Sequence, residues 1–226
     1  DYWLDNVKSY VAMGYDGIDI RLQNHSGMMS DYVNYGFNDC IIEEYSKRYG
    51  KDISNLKSVD KETAMNIMKI RGDFFMMFLE KAVDEIHAAG KIALIHLRYS
   101  YENPTLSYGY NEIGFWTMPR IIFDWKRSVD LADEITIKDY YHNNYRKDMS
   151  SQIKSYANEL GKRVWIHSYY SQGQENNYDF LSAVDADPTV GGILAYETYL
   201  SAGTNGAQIL SSYRTLLARL GYSKQR

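Results

Sequence analysis

Apolar residues along this chain follow two spacings, one typical of strands and one typical of helices. Short apolar runs with strand character fall at 17–22, 91–98, 134–138, 163–169 and 192–197. Helical spacing predicts helices at 3–11, 37–49, 61–89, 119–131, 149–160, 178–186 and about 206–220. Because strands alternate with helices, each crossover returns the chain to the same end of a sheet, which predicts parallel strands and an α/β fold.

Residues that favour helix ends support these boundaries. Asp60 stands where its side chain can cap the helix that begins at 61. Glycines follow the last apolar position of four predicted helices, namely Gly14, Gly50, Gly90 and Gly161. The Met and Phe residues between 65 and 79 are expected to face the core of the domain.

Two architectures fit this order of elements, an open doubly wound sheet and part of a (β/α)8 barrel. No strand is followed by the Gly-x-Gly-x-x-Gly turn of a dinucleotide-binding fold. Polar side chains occupy the C-terminal end of every predicted strand: Asp19, Arg21, His96, Arg98, Lys138, Asp139, His167, Tyr169 and Glu197. In a barrel these ends converge on one mouth, where active sites are built. We therefore predict a (β/α)8-type barrel with one shared cleft.

Composition narrows the classes of function. The 226 residues are 45% hydrophobic, enough for the single domain that we expect over residues 1–226. A net charge of −4 gives no basic field for nucleic acid, and no apolar run approaches the roughly 20 residues of a membrane span. Cys40 is the single cysteine, so no internal disulfide forms. The 22 Tyr and 4 Trp residues are typical of sugar-binding clefts and also of ordinary packing.

Two stretches resemble glycoside hydrolases. Residues 15–20, Tyr-Asp-Gly-Ile-Asp-Ile, resemble the fourth-strand motif Asp-Gly-x-Asp-x-Asp-x-Glu of family 18. Asp16, Gly17 and Asp19 match that motif, whereas Arg21 and Gln23 replace its last two acids. Residues 37–53 resemble the excursion after strand four of family 42 β-galactosidases, in which Asn-Glu stands where this chain has Asn24-His25.

The whole pattern is most similar to uncharacterised bacterial barrels related to glycoside hydrolases. The resemblance implies that this segment holds strands four to eight and that strands one to three lie upstream. It also implies a carbohydrate substrate and a secreted or periplasmic location, with no cofactor or metal. Partners other than the carbohydrate are not expected, and the oligomeric state stays open.

Glycoside hydrolysis needs two carboxyl groups across the scissile bond. The candidate catalytic acids are Glu197, Asp139 and Asp19. Glu197 ends an apolar strand, where burial could raise its pKa for acid work, although it could equally pair with an arginine. The candidate substrate-binding residues are Arg21, Asn24, His25, His96, Arg98, Lys138, His167 and Tyr169. The cations among them suit a substrate that carries acidic groups, or neutralise the acids nearby.

Three functional interpretations stay open. The first is a glycoside hydrolase-like enzyme that acts on a poly- or oligosaccharide. The second is a non-catalytic carbohydrate-binding barrel, which Gln23 and His25 favour because they stand where the two families have acids. The third is a metal-dependent barrel hydrolase or isomerase, although no His-x-His or His-Glu-x-x-His spacing is present.

Overall fold

A computed structural model describes residues 2–21, 38–56, 60–97, 122–138, 140–141, 144–145, 147–148, 150–169, 177–196 and 218. The helices are α1 (Tyr2–Val11), α2 (Asp39–Tyr49), α3 (Lys61–Ala88), α4 (Trp125–Leu131), α5 (Ser151–Glu159) and α6 (Asn177–Asp185). The strands are β1 (Gly17–Arg21), β2 (Ile92–Leu97), β3 (Glu134–Ile137), β4 (Tyr140–Tyr141), β5 (Asn144–Tyr145), β6 (Arg163–Tyr169) and β7 (Gly192–Tyr196). None of these helices combines the length and apolar character that a membrane span needs.

Five of the strands form one sheet in the order β1-β2-β3-β6-β7. The pairs β1–β2 and β6–β7 are parallel, and helices connect successive strands of this sheet. A doubly wound sheet reverses its strand order at the ligand crevice, whereas these strands follow the chain without a reversal. The predicted fold class is therefore confirmed: this is an α/β chain with the strand order of a (β/α)8-barrel segment.

Local sequence features explain several element ends. The Asp60 carboxylate accepts a hydrogen bond from the Thr63 amide at 2.7 Å, which confirms the predicted cap of α3. Gly50 closes α2 at φ +65°, and its amide donates to the Ser46 carbonyl, as a C-terminal glycine cap does. The strand at 163–169 was predicted with its observed limits.

The structure differs from the predicted elements in two places. The helix predicted from 119 begins at Trp125, because the Asp124 side chain accepts from the Arg127 amide at 3.1 Å and caps it there. The antiparallel hairpin of β4 and β5 was not predicted at all. Its strands are two residues long, too short for alternation to distinguish them from a loop.

The chain divides into two compact units, Asp1–Glu134 and Ile135–Arg226. In the first, α3 is the central helix and contributes much of the buried apolar core. Its residues Ile67 and Ile70 pack in one cluster with Ile41, Tyr45 and Ile53. The expectation that the Met and Phe residues of α3 face the core holds for Met68 and Met76, which are buried, but not for Met77, which is 38% exposed.

In the second unit, β6, α5 and α6 supply buried apolar residues. Val164, Ile166, Ile153, Ala157 and Leu181 are all almost completely buried. The prediction that residues 1–226 form a single domain stays a prediction.

Candidate functional site

The pairing of β1 with β2 places three polar side chains of the first unit on one face. Arg21 lies directly beside His96 in the register of the two strands, and Asp19 lies beside Leu94. Because alternate residues of a strand share a face, Asp19 and Arg21 lie on the same side as His96. Arg21 and His96 lie at the C-terminal ends of parallel strands, the end at which barrel enzymes build their sites, and Asp19 lies at the middle of β1.

Asp19 and His96 approach each other closely. The carboxylate Oδ2 of Asp19 lies 3.8 Å from Nδ1 of His96. This distance allows electrostatic attraction to a protonated ring but exceeds the length of a hydrogen bond. The His96 side chain is 1% exposed, whereas that of Asp19 is 26% exposed, so solvent or a ligand can reach the carboxylate.

A glycine lets the two strands meet in this way. A Cβ atom at Gly17 would lie 2.9 Å from the Ile92 carbonyl oxygen and 3.3 Å from a methyl group of Leu94. A larger residue would therefore disturb the pairing two residues before Asp19. Gly17, the glycine of the Asp-Gly pair that suggested a barrel strand, thus has a packing role.

This arrangement supports proton transfer and polar recognition. A carboxylate and an imidazole are both able to accept or release a proton, and the exposed part of the Asp19 carboxylate can accept hydrogen bonds from a ligand. Arg21 adds a permanent cation with several donors on the same face. Together they suit the hydroxyl or carboxyl groups of a polar ligand better than an apolar ligand.

The second unit contributes three further candidate residues: Lys138, His167 and Tyr169. His167 is 1% exposed and lies beside Leu194 in the register of β6 and β7. The backbone of Tyr169 pairs with that of Tyr196. Lys138 follows the last residue of β3 and is half-buried. The prediction that residues of all the strand ends share one cleft stays a prediction.

Five of the candidate residues lie outside the described part of the chain. They are Asn24, His25, Arg98, Asp139 and Glu197. Their predicted roles, including those of Glu197 and Asp139 as catalytic acids, therefore stay predictions.

A buried polar cluster in the second unit was missed at the level of sequence. The Lys154 ammonium is almost completely buried and donates to the Tyr145 hydroxyl at 3.0 Å, the Asp187 carboxylate at 3.3 Å and the Lys147 carbonyl at 2.5 Å. Tyr145 in turn donates to Asp187 at 2.7 Å. One feature of the sequence points to it: Lys154 stands among the apolar positions of α5, between Ile153 and Ala157, which are buried as well.

The electrostatics of Asp187 identify this cluster as a structural one. Burial alone would raise the pKa of Asp187, but hydrogen bonds from Thr189 and Tyr145 and the charge of Lys154 lower the pKa to about 2. Thr189 donates from its hydroxyl at 2.6 Å and from its amide at 2.9 Å. Asp187 therefore stays ionised at neutral pH, and its oxygens are occupied by neighbours.

The described residues contain no cluster of side chains that could bind a metal ion. Within those ranges, no group of three or more His, Cys, Asp or Glu side chains is placed to hold a metal ion. Asp19 and His96 would supply two ligands, fewer than the three protein ligands of typical catalytic zinc sites.

Comparison with known proteins finds likeness in structure and none in sequence. No protein-family model matches the chain, and no curated protein matches it. Among solved structures, it is similar to the catalytic domain of β-amylase from Paenibacillus polymyxa, with a TM-score of 0.46 and 14% sequence identity. The match covers 94% of this chain and 65% of that one, so this chain spans somewhat less than two thirds of that catalytic domain. The fold assignment rests on the strand order described above.

Proposed function

We propose that this chain is part of a carbohydrate-active (β/α)8 barrel that binds its sugar at the C-terminal ends of the strands. The observation that carries the proposal is the common face of Asp19, Arg21 and His96, with the Asp19 carboxylate 3.8 Å from the His96 ring. The proposal is supported by the resemblance of residues 15–20 to a glycoside hydrolase motif of which Asp19 is part.

In this proposal the residues of β1 and β2 bind the substrate and exchange protons with it. Arg21 donates hydrogen bonds to hydroxyl or carboxylate oxygens of the sugar. His96, held beside Asp19, donates or accepts a proton according to its charge state. Glu197 serves as the general acid and Asp139 as the second carboxylate that glycosidic cleavage requires.

A carbohydrate-binding barrel without catalysis is the second candidate. The observation in its favour is that Gln23 and His25 stand where the two glycoside hydrolase families have acids. An amide or a neutral imidazole can hydrogen-bond to a sugar, but neither replaces a carboxylic acid that protonates a leaving group.

One experiment separates these candidates. Binding to a glycan array and hydrolysis of the same glycans are measured for the wild type, for Glu197→Gln and for Glu159→Gln, a change at an exposed position of α5. The protein is tested as it stands and joined to the upstream strands that a full barrel requires. An enzyme loses about 10²–10⁴-fold in turnover in Glu197→Gln and keeps its rate in Glu159→Gln.

The other outcomes are equally informative. Glycan binding without turnover in any of the three proteins establishes the non-catalytic barrel. Turnover that requires added metal, confirmed by metal analysis, would point instead to a metal-dependent enzyme. Neither binding nor cleavage of any glycan by the complete barrel would overturn the carbohydrate proposal.

A further inference from the structure

A small cavity of about 200 Å³ lies in the first unit, between the last two turns of α2 and the first two turns of α3. None of its lining residues belongs to β1 or β2, so it is separate from the face that carries Asp19 and His96. Sites for drug-sized ligands usually measure roughly 300–1,000 Å³. This cavity therefore has room for one small ring and not for a longer chain.

The wall that α2 contributes is held in place by the core and by a helix cap. Tyr45 is 2% exposed and belongs to the cluster of buried apolar residues between α2 and α3. Its ring lies 4.8 Å from that of Tyr49, which is 39% exposed. Gly50 ends α2 at φ +65°, and the next residue, Lys51, borders the cavity. The cavity thus has a preformed shape.

Two buried polar groups of the lining have no partner within the protein. Asn66 is 8% exposed, and among the residues that the structure describes neither its side-chain amide nor the Tyr45 hydroxyl forms a hydrogen bond. A buried polar group without a hydrogen bond costs stability, so such groups are normally paired with protein, water or a ligand. Because Asn66 and Tyr45 both line the cavity, a partner for them would have to lie inside it.

The charges around the cavity disfavour an anion. Lys51 lies 4.0 Å from the Asp60 carboxylate and donates to the Thr63 hydroxyl at 3.5 Å. The Thr63 amide donates to Asp60 at 2.7 Å and holds the pKa of that carboxyl below its ordinary value, so Asp60 is ionised. Glu62 is the other acid of the lining and is exposed. One cation therefore faces two acids.

The uncharged groups of the lining match a ligand that carries hydroxyl groups. The Asn66 amide offers two donors and one acceptor oxygen, and a tyrosine hydroxyl can donate and accept. A hydroxyl group of a ligand can likewise donate and accept, so it can pair with either. The partly exposed ring of Tyr49 can cover an apolar ring face.

We propose that this cavity binds a neutral ring that carries several hydroxyl groups, of the size of a single hexose or cyclitol. Asn66 and Tyr45 form hydrogen bonds to its hydroxyl groups, and the Tyr49 ring covers its apolar face. The ligand chemistry is inferred from the cavity alone, so this inference does not rest on the function proposed for the strand ends.

The test uses four neutral probes, namely glucose, galactose, mannose and myo-inositol, with sodium glucuronate as the anionic probe of similar size. Affinity is measured by NMR titration, which also locates the binding, for the wild type, Asn66→Leu, Tyr45→Phe and Tyr10→Phe. Tyr10 is the matched control because it is an exposed tyrosine of α1 that does not line the cavity. We expect at least one neutral probe to bind, and each cavity variant to weaken it by about fivefold, as the loss of one hydrogen bond does. Tyr10→Phe keeps the wild-type affinity, and glucuronate binds less tightly than the neutral probe.

Stability measurements separate a ligand site from a structural amide. Leucine has nearly the shape of asparagine, so Asn66→Leu removes a buried amide that has no partner and leaves the packing in place. The melting temperature of the ligand-free variant should therefore not fall, even though ligand binding is weakened. A lower melting temperature with unchanged affinity would make Asn66 a structural residue and overturn the inference.

Three further results would overturn it. They are the absence of binding by all four neutral probes, equal affinity in both cavity variants and the wild type, and tighter binding of glucuronate than of any neutral probe. Asp19→Asn distinguishes this site from the strand ends, because it alters only the latter. That variant should keep the wild-type affinity for the probe, and a loss of affinity would place the ring at the strand ends instead.

Discussion

Each unit contains one pair formed by an acidic and a basic side chain, and the two pairs differ in how deeply they are buried. Asp19 and His96 lie 3.8 Å apart, and the Asp19 side chain is 26% exposed. Lys154 and Asp187 lie 3.3 Å apart, and their side chains are only 2% and 3% exposed. In the first pair the Asp19 carboxylate is thus accessible to a ligand, and we call this the accessible pair. In the second pair both side chains are buried, and we call it the sealed pair.

The difference indicates what each pair is suited to do. A buried ion pair repays the cost of its desolvation only when its atoms are hydrogen-bonded, and Asp187 receives hydrogen bonds from Tyr145, Lys154 and Thr189. These contacts join α5 to the hairpin of β4 and β5 and to the segment before β7. A carboxylate held in this way stabilises the fold, whereas one that solvent reaches, such as Asp19, can take part in binding or proton transfer.

The largest expected effect concerns the accessible pair. Under the proposed function, Asp19→Asn should lower turnover on a cleaved glycan by about 10²–10⁴-fold, because it removes the carboxylate that lies beside His96. Thermal stability should change little, since Asp19 is partly exposed. The measurements are kcat and the melting temperature, and unchanged kcat with a lower melting temperature would make Asp19 a structural residue.

The sealed pair should show the opposite behaviour. Lys154→Met leaves the Asp187 charge buried without its cation, which should lower the free energy of unfolding by about 3–5 kcal/mol. Lys147→Met is the control, because its side chain is exposed and only its carbonyl contacts Lys154. Denaturant unfolding measures both. A loss no greater in Lys154→Met than in the control would show that the cluster does not stabilise the fold.

The pH dependence of stability should also reveal the sealed pair. Folding lowers the pKa of Asp187 from its ordinary 3.8 to about 2, so the carboxylate stabilises the folded state above pH 4. This stabilisation, about 2 kcal/mol, is lost as the pH falls from 4 through 2. The free energy of unfolding of the wild type and of Asp187→Asn, measured between pH 2 and pH 6, checks this. The difference between the two free energies should shrink below pH 4. A constant difference would contradict the assigned pKa.

The smallest effect is expected at an ion pair on the surface. Lys8 and Glu85 lie 3.2 Å apart, with side chains 56% and 41% exposed. Lys8→Gln should lower the free energy of unfolding by less than about 0.5 kcal/mol, because solvent screens the charges. Denaturant unfolding at low and high salt measures it. A loss comparable to that of Lys154→Met would mean that burial does not decide the strength of pairs in this protein.

Features that depend on neighbouring residues could be predicted from the sequence. Alternating apolar residues located the strands, and Asp60 and Gly50 marked helix ends, because a cap needs only a backbone group within a few residues. The order of strands and helices was enough to predict parallel strands, because the connections between them leave few alternatives. The two-residue strands of the β4–β5 hairpin were not predicted, because so short a segment shows no periodicity.

Contacts between residues far apart in the chain could be read only from the folded protein. The parity of β1 placed Asp19 and Arg21 on one face, but the register with β2 was needed to bring His96 beside Arg21. Tyr145 and Asp187 are 42 positions apart, and no local pattern predicts that one hydroxyl would satisfy that carboxylate. Such contacts form because elements pack to bury their apolar faces, and the polar groups enclosed with them must then find partners wherever the packing has placed them.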